Sequence, residues 1–391
     1  MTVPTSFHQN SKPTVNFALK DVVQWIEHPD GYWLLRNTQD VTYLQVSSPD
    51  KQVIEALSQH APHGVIRAYD VSPQELQHLL RLLSLTGMLE GSSPPKPPKR
   101  KFTPLQLLYF RRKLINPDQW LSQHIDKLHW IWTRPVAVTL GIFLTYTTVL
   151  ALHHRAAITY FGQQLVAAQG GNLLIPFILL SVAVVSIHEL GHAFTLKHYG
   201  GIVPEIGLIF MCLFPAAYTN TTDAYCLIKR QQRFWVVVAG VACQLIIGAA
   251  AFWLWFTSAE NTWLHTSSYL LMVAALFTVA LNLNPLVRFD GYYIAVAITG
   301  INNLRSRSFL LYQRLLGGRS PLESGQDFWI LLAYAPLSLI YLILIFGKFL
   351  FSFGIWIFIH VPYLTIVLSV LWLLYYTAPT KLHDCKSQSS P

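Results

Sequence analysis

Long uninterrupted apolar runs occupy most of the chain after residue 130. About six of them are long enough to cross a bilayer, because about 20 apolar residues in a helix span its hydrocarbon core. The predicted spans are 132–153, 173–198, 235–256, 267–287, 328–350 and 354–376. A tight turn near Lys348–Gly354 is predicted to join the last two. The pattern therefore predicts a polytopic α-helical membrane protein with about six transmembrane helices.

Residues 1–91 have short alternating and helical periods instead of long apolar runs. Three segments are predicted strands: Val22–His28, Tyr32–Arg36 and Val41–Gln45. Turn residues Pro29-Asp30-Gly31 separate the first two strands. Ser48-Pro49 and the capping box Ser72-Pro73-Gln74-Glu75 each predict the start of a helix, and the second helix is predicted to end at Gly87. We expect a small α+β domain with a winged-helix-like fold.

A linker region, 92–130, is predicted between these two parts. Its first half, Ser92–Pro104, is rich in Pro and Lys and is predicted to be extended. Its second half, Leu105–Trp130, mixes apolar and basic residues, which is typical of a segment on the inner membrane surface. The membrane domain is then predicted to cover 131–378, and 379–391 to form a cytoplasmic tail.

Composition and charge support the membrane assignment. Of the 391 residues, 52% are hydrophobic and 12% are charged, with a mean hydropathy of +0.37. Soluble domains usually have about 25% charged residues. The net charge is +9, and the basic residues concentrate in alternate loops, so the positive-inside rule predicts that both termini are cytoplasmic. These charges follow the spans and form no separate stripe, so we expect a lipid bilayer and no nucleic acid as partner. The polar first twenty residues predict no cleavable secretory signal.

The run His188-Glu189-Leu190-Gly191-His192 lies inside the second predicted span. Two histidines four residues apart share one helix face and can bind one Zn²⁺, while Glu189 between them can serve as general base on the attacking water. The five-residue pattern also occurs in proteins that bind no metal. In a membrane helix, however, each ionisable group costs ~2 kcal/mol or more near the bilayer centre, which favours a functional site.

A catalytic zinc site needs a third protein ligand, and Asp290 is the best candidate. It lies in the run Asn282-Leu283-Asn284-Pro285-Leu286-Val287-Arg288-Phe289-Asp290-Gly291, at the cytoplasmic end of the fourth span. That span is predicted to run in the same direction as the second, so both motifs reach a similar depth. His198, Glu205 and Asp223 are less favoured as ligands, although Asp223 could line a substrate entrance. Phe210–Pro215 is predicted to be either a re-entrant hairpin that offers an edge to an extended substrate or a buried loop.

The two motifs together resemble the site-2 protease family of intramembrane metalloproteases, which joins H-E-x-x-H to a later N-x-x-P-x-x-x-x-D-G. This chain matches the second motif at Asn282, Pro285, Asp290 and Gly291. Ala239–Gln244 resembles the family's G-x-x-x-N helix, with Gln244 where Asn is usual. The resemblance covers roughly 172–293. Asn282 or Gln244 is expected to hydrogen-bond the oxyanion or the substrate backbone.

A narrower resemblance extends to the bacterial peptide zinc metalloproteases. It rests on Tyr218–Tyr225, on Asn284-Pro285 with the ending Phe289-Asp290-Gly291-Tyr292-Tyr293, and on the N-terminal region, which is similar to the PqqD-type peptide-recognition domain. The resemblance implies a bacterial inner-membrane protein, a peptide-recognition role for 1–91, and partners among peptide-export or modification machinery. Because 1–91 is a self-contained domain with no catalytic residues, tethered by a Pro-rich linker, we also expect it to bind peptide along an edge strand.

The expected function is therefore an intramembrane zinc metalloprotease that acts on a membrane-associated or ribosomally made peptide, or on a membrane protein. Zn²⁺ would be held by His188, His192 and Asp290, with Glu189 as the catalytic base. Two alternatives are a non-proteolytic accessory or scaffold for peptide binding and export, and a peptide sensor that the membrane part anchors. The intact Glu189 argues against both, because a structural zinc site needs no general base.

Overall fold

The computed structural model describes residues 17–28, 31–58, 62–95, 109–211 and 214–360. It divides into two compact units, Met1–Ile298 and Thr299–Pro391. Residues 96–108 of the predicted linker lie outside the described residues. So do 361–391, which include most of the sixth predicted span and the predicted tail.

An antiparallel three-stranded sheet opens the first unit, as predicted. Its strands, in spatial order, are β1 (Val23–Glu27), β2 (Trp33–Asn37) and β3 (Thr42–Val46). The helices that follow are α1 (Ser48–Leu57), α2 (Pro62–Tyr69) and α3 (Pro73–Leu85). Apolar residues of the sheet and the helices form one core around the fully buried Leu35, Leu83 and Met88. The winged-helix likeness stays a prediction.

Serine caps begin two of these helices. The predicted capping box of α3 is present, with Glu75 N donating to Ser72 Oγ at 3.2 Å and Ser72 N donating to Glu75 Oε2 at 3.1 Å. For α1 the predicted cap was wrong by one residue. Ser47 is the cap, because its Oγ accepts from the backbone N–H of Asp50 at 3.3 Å. The Asp50 carboxylate accepts in turn from the backbone N–H of Ser47 at 3.2 Å, which completes a second capping box. α2 was not predicted, because Gly64 and His63 interrupt its apolar pattern.

A second three-stranded sheet joins two segments that are far apart in the chain. Its order is β4 (Tyr109–Ile115), β5 (Ile206–Met211) and β6 (Phe214–Thr219), with both pairs antiparallel. β4 is followed by α4 (Asp118–Leu128). β5 and β6 pair as an antiparallel hairpin, residues 212–213 lie outside the described residues, and the re-entrant position of Phe210–Pro215 stays a prediction. The sequence did not predict β4, because its partner strand lies about 100 residues later. The local pattern of residues does not indicate a pairing over that distance.

The remaining helices of the first unit are apolar, and all but the last are long. They are α5 (Arg134–His153), α6 (Arg155–Gln169), α7 (Leu174–His198), α8 (Arg230–Thr257), α9 (Trp263–Asn282) and the short α10 (Asp290–Thr299). α6 occupies a segment that was expected to be a loop. It forms because its side chains Phe161 and Leu165 pack into an aromatic cluster with Trp255 and Tyr269. A 3₁₀ turn, Gly170–Leu173, then leads into α7.

The second unit contains α11 (Leu304–Leu316) and α12 (Gly325–His360), which pack on each other, with Tyr312 OH of α11 donating to the Leu332 carbonyl of α12 at 2.8 Å. The turn predicted near Lys348–Gly354 was wrong, because α12 continues through it to His360. Isolated glycines such as Gly347 cost a helix only about 1 kcal/mol each, and this segment has no proline to end it.

Five helical stretches in the described part of the chain are long and apolar enough to cross a membrane. They are α5, the continuous α6–α7 stretch Arg155–His198, α8, α9 and Gly325–Ile345 of α12. Only 6% of the apolar window of α5 is buried, so its large side chains, Val138, Ile142 and Val149 among them, face outward. An outward apolar surface of this extent needs lipid to cover it. The chain is therefore a mostly helical membrane protein.

We predict that Leu35→Ala destabilises the N-terminal domain by about 2–5 kcal/mol, because it leaves a cavity in a fully packed core. Leu85→Ala is the matched control, since Leu85 is 46% exposed and Leu35 is 0% exposed. Amide hydrogen exchange of the full chain in detergent should show faster exchange across β1–β3 and α3 for the first variant only. Equal exchange in the two variants would contradict the described core.

Candidate metal centre

Three ligand-type atoms meet at one point between the membrane helices. His188 Nε2 and His192 Nε2 lie 3.0 Å apart, and Asp290 Oδ2 lies 3.1 Å from the first and 3.3 Å from the second. Both histidines are buried and Asp290 is half-buried. Among the described residues this is the one cluster of three or more His, Cys, Asp or Glu side chains spaced to hold a metal ion. The structure thus brings together the three residues predicted from the two motifs.

The spacing of these atoms fits a tetrahedral zinc. Ligand bonds of about 2.0–2.1 Å at tetrahedral angles put the ligand atoms about 3.3 Å apart, close to the observed 3.0–3.3 Å. Asp290 Oδ2 is also buried without a well-directed hydrogen bond among the described residues. Two imidazole nitrogens and a carboxylate oxygen repel one another at this distance unless a cation or a proton lies among them. The donor set is therefore suited to Zn²⁺.

A backbone hydrogen bond fixes the orientation of one ligand. His192 Nδ1 lies 2.7 Å from the carbonyl oxygen of Val236 on α8. Because a carbonyl can only accept, Nδ1 carries the proton and Nε2 keeps its lone pair directed at the cluster. This carbonyl was not predicted to take part, because a sequence motif is defined by side chains and every residue has a backbone carbonyl.

Close packing of α7 on α8 depends on glycine at the ligands. A Cβ at Gly240 would lie 2.5 Å from both His188 Cε1 and His192 Nε2. A Cβ at Gly191 on the facing helix would lie 2.7 Å from Cys243 Sγ. The two helices can therefore meet at the metal cluster only where side chains are absent. The resemblance to a G-x-x-x-N helix included Gly240, four residues before Gln244, but only Gln244 was assigned a role.

Asp290 reaches the histidines because the chain folds back after α9. That helix ends at Asn282, and the segment containing Pro285 connects it to α10, whose first residue is Asp290. Gly291 lies against the end of α9, where a Cβ would be 2.3 Å from Leu283 O and so could not be accommodated. Asp290 thus places its carboxylate at the cluster, and the close packing that allows this needs glycine at position 291.

Glu189 lies next to the ligands in α7 without joining them. Its carboxylate interacts electrostatically with His188, His192 and Asp290. Thr219, the last residue of β6, donates a hydrogen bond of 3.1 Å to the Glu189 backbone carbonyl. β6 therefore ends beside the residue that the sequence assigned as general base.

Asn282 and Gln244 form an amide pair against His188. Asn282 Nδ2 donates to Gln244 Oε1 at 3.3 Å and lies 3.5 Å from both ring nitrogens of His188. Gln244 is 0% exposed, and its Nε2 has no hydrogen-bond partner among the described residues. The predicted substrate-binding amides are therefore at the cluster, and one of them carries an unused donor.

The other carboxylates considered as ligands lie elsewhere. Glu205 forms an ion pair with Arg111 of β4. Asp223 is fully buried and accepts from Arg36, from Tyr43 OH and from the backbone N–H of Ile202. Its predicted place at a substrate entrance stays a prediction. His198, the remaining alternative, stacks on Trp132 with ring centroids 4.4 Å apart.

The chain is similar to a curated protein of Bacillus subtilis (strain 168) named "Putative peptide zinc metalloprotease protein YydH". The two are 24% identical over 168 residues, which are 42% of this chain and 60% of that relative. The match thus spans about 60% of the relative's length. No family model and no solved structure matches the chain. The similarity supports a relationship to metalloproteases, while the likeness to site-2 proteases and to a PqqD-type domain rests on the motifs.

We predict that Gly240→Ala lowers the zinc content of purified protein, because its methyl group would displace both imidazoles. Gly248→Ala on the same helix is the control, since a Cβ there meets Ala275 Cβ at 3.4 Å, an ordinary contact. Metal analysis after dialysis against limiting zinc should show about one zinc per chain for the control and clearly less for Gly240→Ala. Full occupancy in both variants would mean that Gly240 does not shape the ligand site.

Proposed function

We propose that this protein is an intramembrane zinc metalloprotease that cleaves a membrane-associated or ribosomally made peptide. The observation that carries the proposal is the convergence of His188, His192 and Asp290 beside Glu189 within apolar helices. Ionisable groups at this depth are costly and are commonly functional. The similarity to a protein named as a peptide zinc metalloprotease supports the same class of reaction.

The residues of the site have distinct roles in this proposal. One Zn²⁺ held by the two histidines and Asp290 would supply Lewis acidity toward water and the scissile carbonyl. Glu189 accepts the proton of the attacking water and passes it to the leaving amine. Gln244 Nε2, which is buried with an unused hydrogen, donates to the carbonyl oxygen as negative charge develops there. Asn282 orients Gln244 through their mutual hydrogen bond.

An extended substrate suits this site better than a helical one. A peptide in a helix has its carbonyls occupied by the i to i−4 ladder, so it must unwind before attack. β6 is the terminal strand of its sheet and ends at Thr219, bonded to Glu189. We propose that the unwound peptide pairs with β6, whose main chain supplies the hydrogen bonds that the helix loses.

We also propose the membrane topology, the role of the N-terminal sheet and the partners that the sequence predicts. Both termini lie in the cytoplasm, with the chain in a bacterial inner membrane. The N-terminal sheet binds a peptide along an edge strand and delivers it to the metal centre. Partners are the peptide substrate and the machinery that exports or modifies it. A non-proteolytic scaffold is the competing function, and the Glu189 experiment below separates the two.

We predict that Glu189→Gln lowers peptide hydrolysis at least about 100-fold, the usual contribution of a general base. The amide keeps the size of the side chain and Glu189 is not a ligand, so zinc content should not change. Hydrolysis of a fluorogenic peptide by detergent-purified protein measures the first quantity and metal analysis the second. Unchanged turnover would remove Glu189 from the mechanism. If the wild-type chain binds zinc and cleaves nothing, the scaffold function is favoured.

A ligand test complements the base test. Asp290→Ala should weaken zinc binding by more than about 100-fold, beyond the loss typical of residues that only support a ligand. Glu205→Ala is its control, because Glu205 pairs with Arg111 and does not reach the cluster. Competition with a fluorescent zinc chelator measures the affinity of each variant. Wild-type affinity in Asp290→Ala would transfer the third-ligand role to another residue.

A further inference from the structure

A buried ion pair links the N-terminal sheet to the segment that follows β6. Asp223 lies in a 3₁₀ turn, Thr222–Cys226, four residues after Thr219. Its carboxylate forms an ion pair with Arg36 of β2 and accepts from Tyr43 OH of β3 at 2.9 Å. The Asp223 side chain is 0% exposed and that of Arg36 is 12% exposed. Neither the metal site nor the resemblance to known families assigned this contact a role.

The same carboxylate also holds the membrane domain. The backbone N–H of Ile202, which follows the end of α7, donates to Asp223 Oδ2 at 2.5 Å. Burial, together with the adjacent Asp223 charge, raises the pKa of Tyr43 well above its usual range, so the phenol remains a donor. Asp223 therefore receives three donors from three segments: β2, β3 and the chain after α7. We call Arg36, Tyr43 and Asp223 the domain lock.

We propose that the domain lock positions β6 beside Glu189, so that docking of the N-terminal domain sets how well the active site captures peptide. Asp223 is a positioning residue in this scheme and touches neither metal nor substrate. β6 is anchored at Thr219 to the Glu189 carbonyl and just beyond it at Asp223 to the N-terminal sheet. Release of the lock frees the second anchor and loosens the strand. The inference rests on the proposed pairing of substrate with β6.

Because the ion pair is buried, loss of one partner should undock the N-terminal domain. Removing one partner of a buried ion pair leaves an uncompensated charge, which is strongly destabilising locally. An Arg36→Gln variant would leave Asp223 charged and short of one donor, so the domain should open much more often. Replacing both residues, as Arg36→Gln/Asp223→Asn, leaves two neutral amides that can hydrogen-bond each other, Ile202 N–H and Tyr43 OH. Docking should then largely return.

Cys226 reports on docking because it lies in the same buried group. It is 8% exposed and interacts electrostatically with Asp223, Arg36 and Tyr43. Burial, together with the Asp223 carboxylate, raises the pKa of this thiol, which makes it slow to alkylate when docked. Arg36 lowers that pKa. Loss of the Arg36 charge alone would therefore slow alkylation, whereas opening of the domain would accelerate it, so the two effects have opposite signs.

The experiment uses the full chain in detergent, with Cys212, Cys243 and Cys385 replaced by Ala and a maleimide as the probe. We expect Arg36→Gln to raise the alkylation rate of Cys226 at least about tenfold. The double variant should return to within about threefold of the parent. Arg81→Gln is the matched control, because Arg81 is exposed on α3. An unchanged or slower rate in Arg36→Gln would overturn the lock.

Two further readouts test positioning. Amide exchange within β6 should rise in Arg36→Gln and recover in the double variant, whether or not the protein is a protease. With a fluorogenic peptide, KM should rise about tenfold at constant zinc content, with kcat nearly unchanged; a merely structural role would lower kcat through loss of folded protein. If Cys226 is alkylated faster but amide exchange within β6 is unchanged, the contact only docks the N-terminal domain. The proposal that it positions β6 would then be wrong. Absence of peptide cleavage in the parent chain would count against the proposed function alone.

Discussion

The contact of Gly240 with His188 and His192 is the constraint on which the site depends. Polar ligands inside a membrane helix are tolerated only when protein covers them and satisfies them. Here the cover is the backbone of α8, which comes close enough for the Val236 carbonyl to bond His192. A side chain at 240 would separate the helices and expose the imidazoles. The candidate metal centre and the α7–α8 packing are therefore one structural feature.

The sequence predicted much of this centre because its candidate ligands lie in two short motifs. His188 and His192 share a helix face by spacing alone, and the shared direction of the second and fourth predicted spans indicated that Asp290 lies at a similar depth. The apolar runs likewise indicated the membrane helices. The roles of these residues, and the domain boundaries assigned from composition, stay predictions that the proposed experiments test.

What the sequence could not show are contacts between distant segments. β4 pairs with a strand about 100 residues later, and Asp223 meets Arg36 across 187 residues. A lone buried carboxylate looks like any loop aspartate until its partners are known. α6 was missed for a related reason, because its amphipathic side chains bury only when α8 and α9 supply the aromatic cluster. These contacts connect the N-terminal sheet, through Asp223, to the segment that follows β6, and Thr219 at the end of β6 bonds the Glu189 carbonyl.

X-ray absorption at the zinc edge of the zinc-loaded full chain identifies the atoms that bind the metal. If His188, His192 and Asp290 are the ligands, the spectrum will show only nitrogen and oxygen at about 2.0–2.1 Å, with the scattering pattern of two imidazoles. That pattern should lose one imidazole in His192→Ala. A sulfur ligand at about 2.3 Å, or zinc surrounded by oxygen alone, would contradict the His188–His192–Asp290 centre.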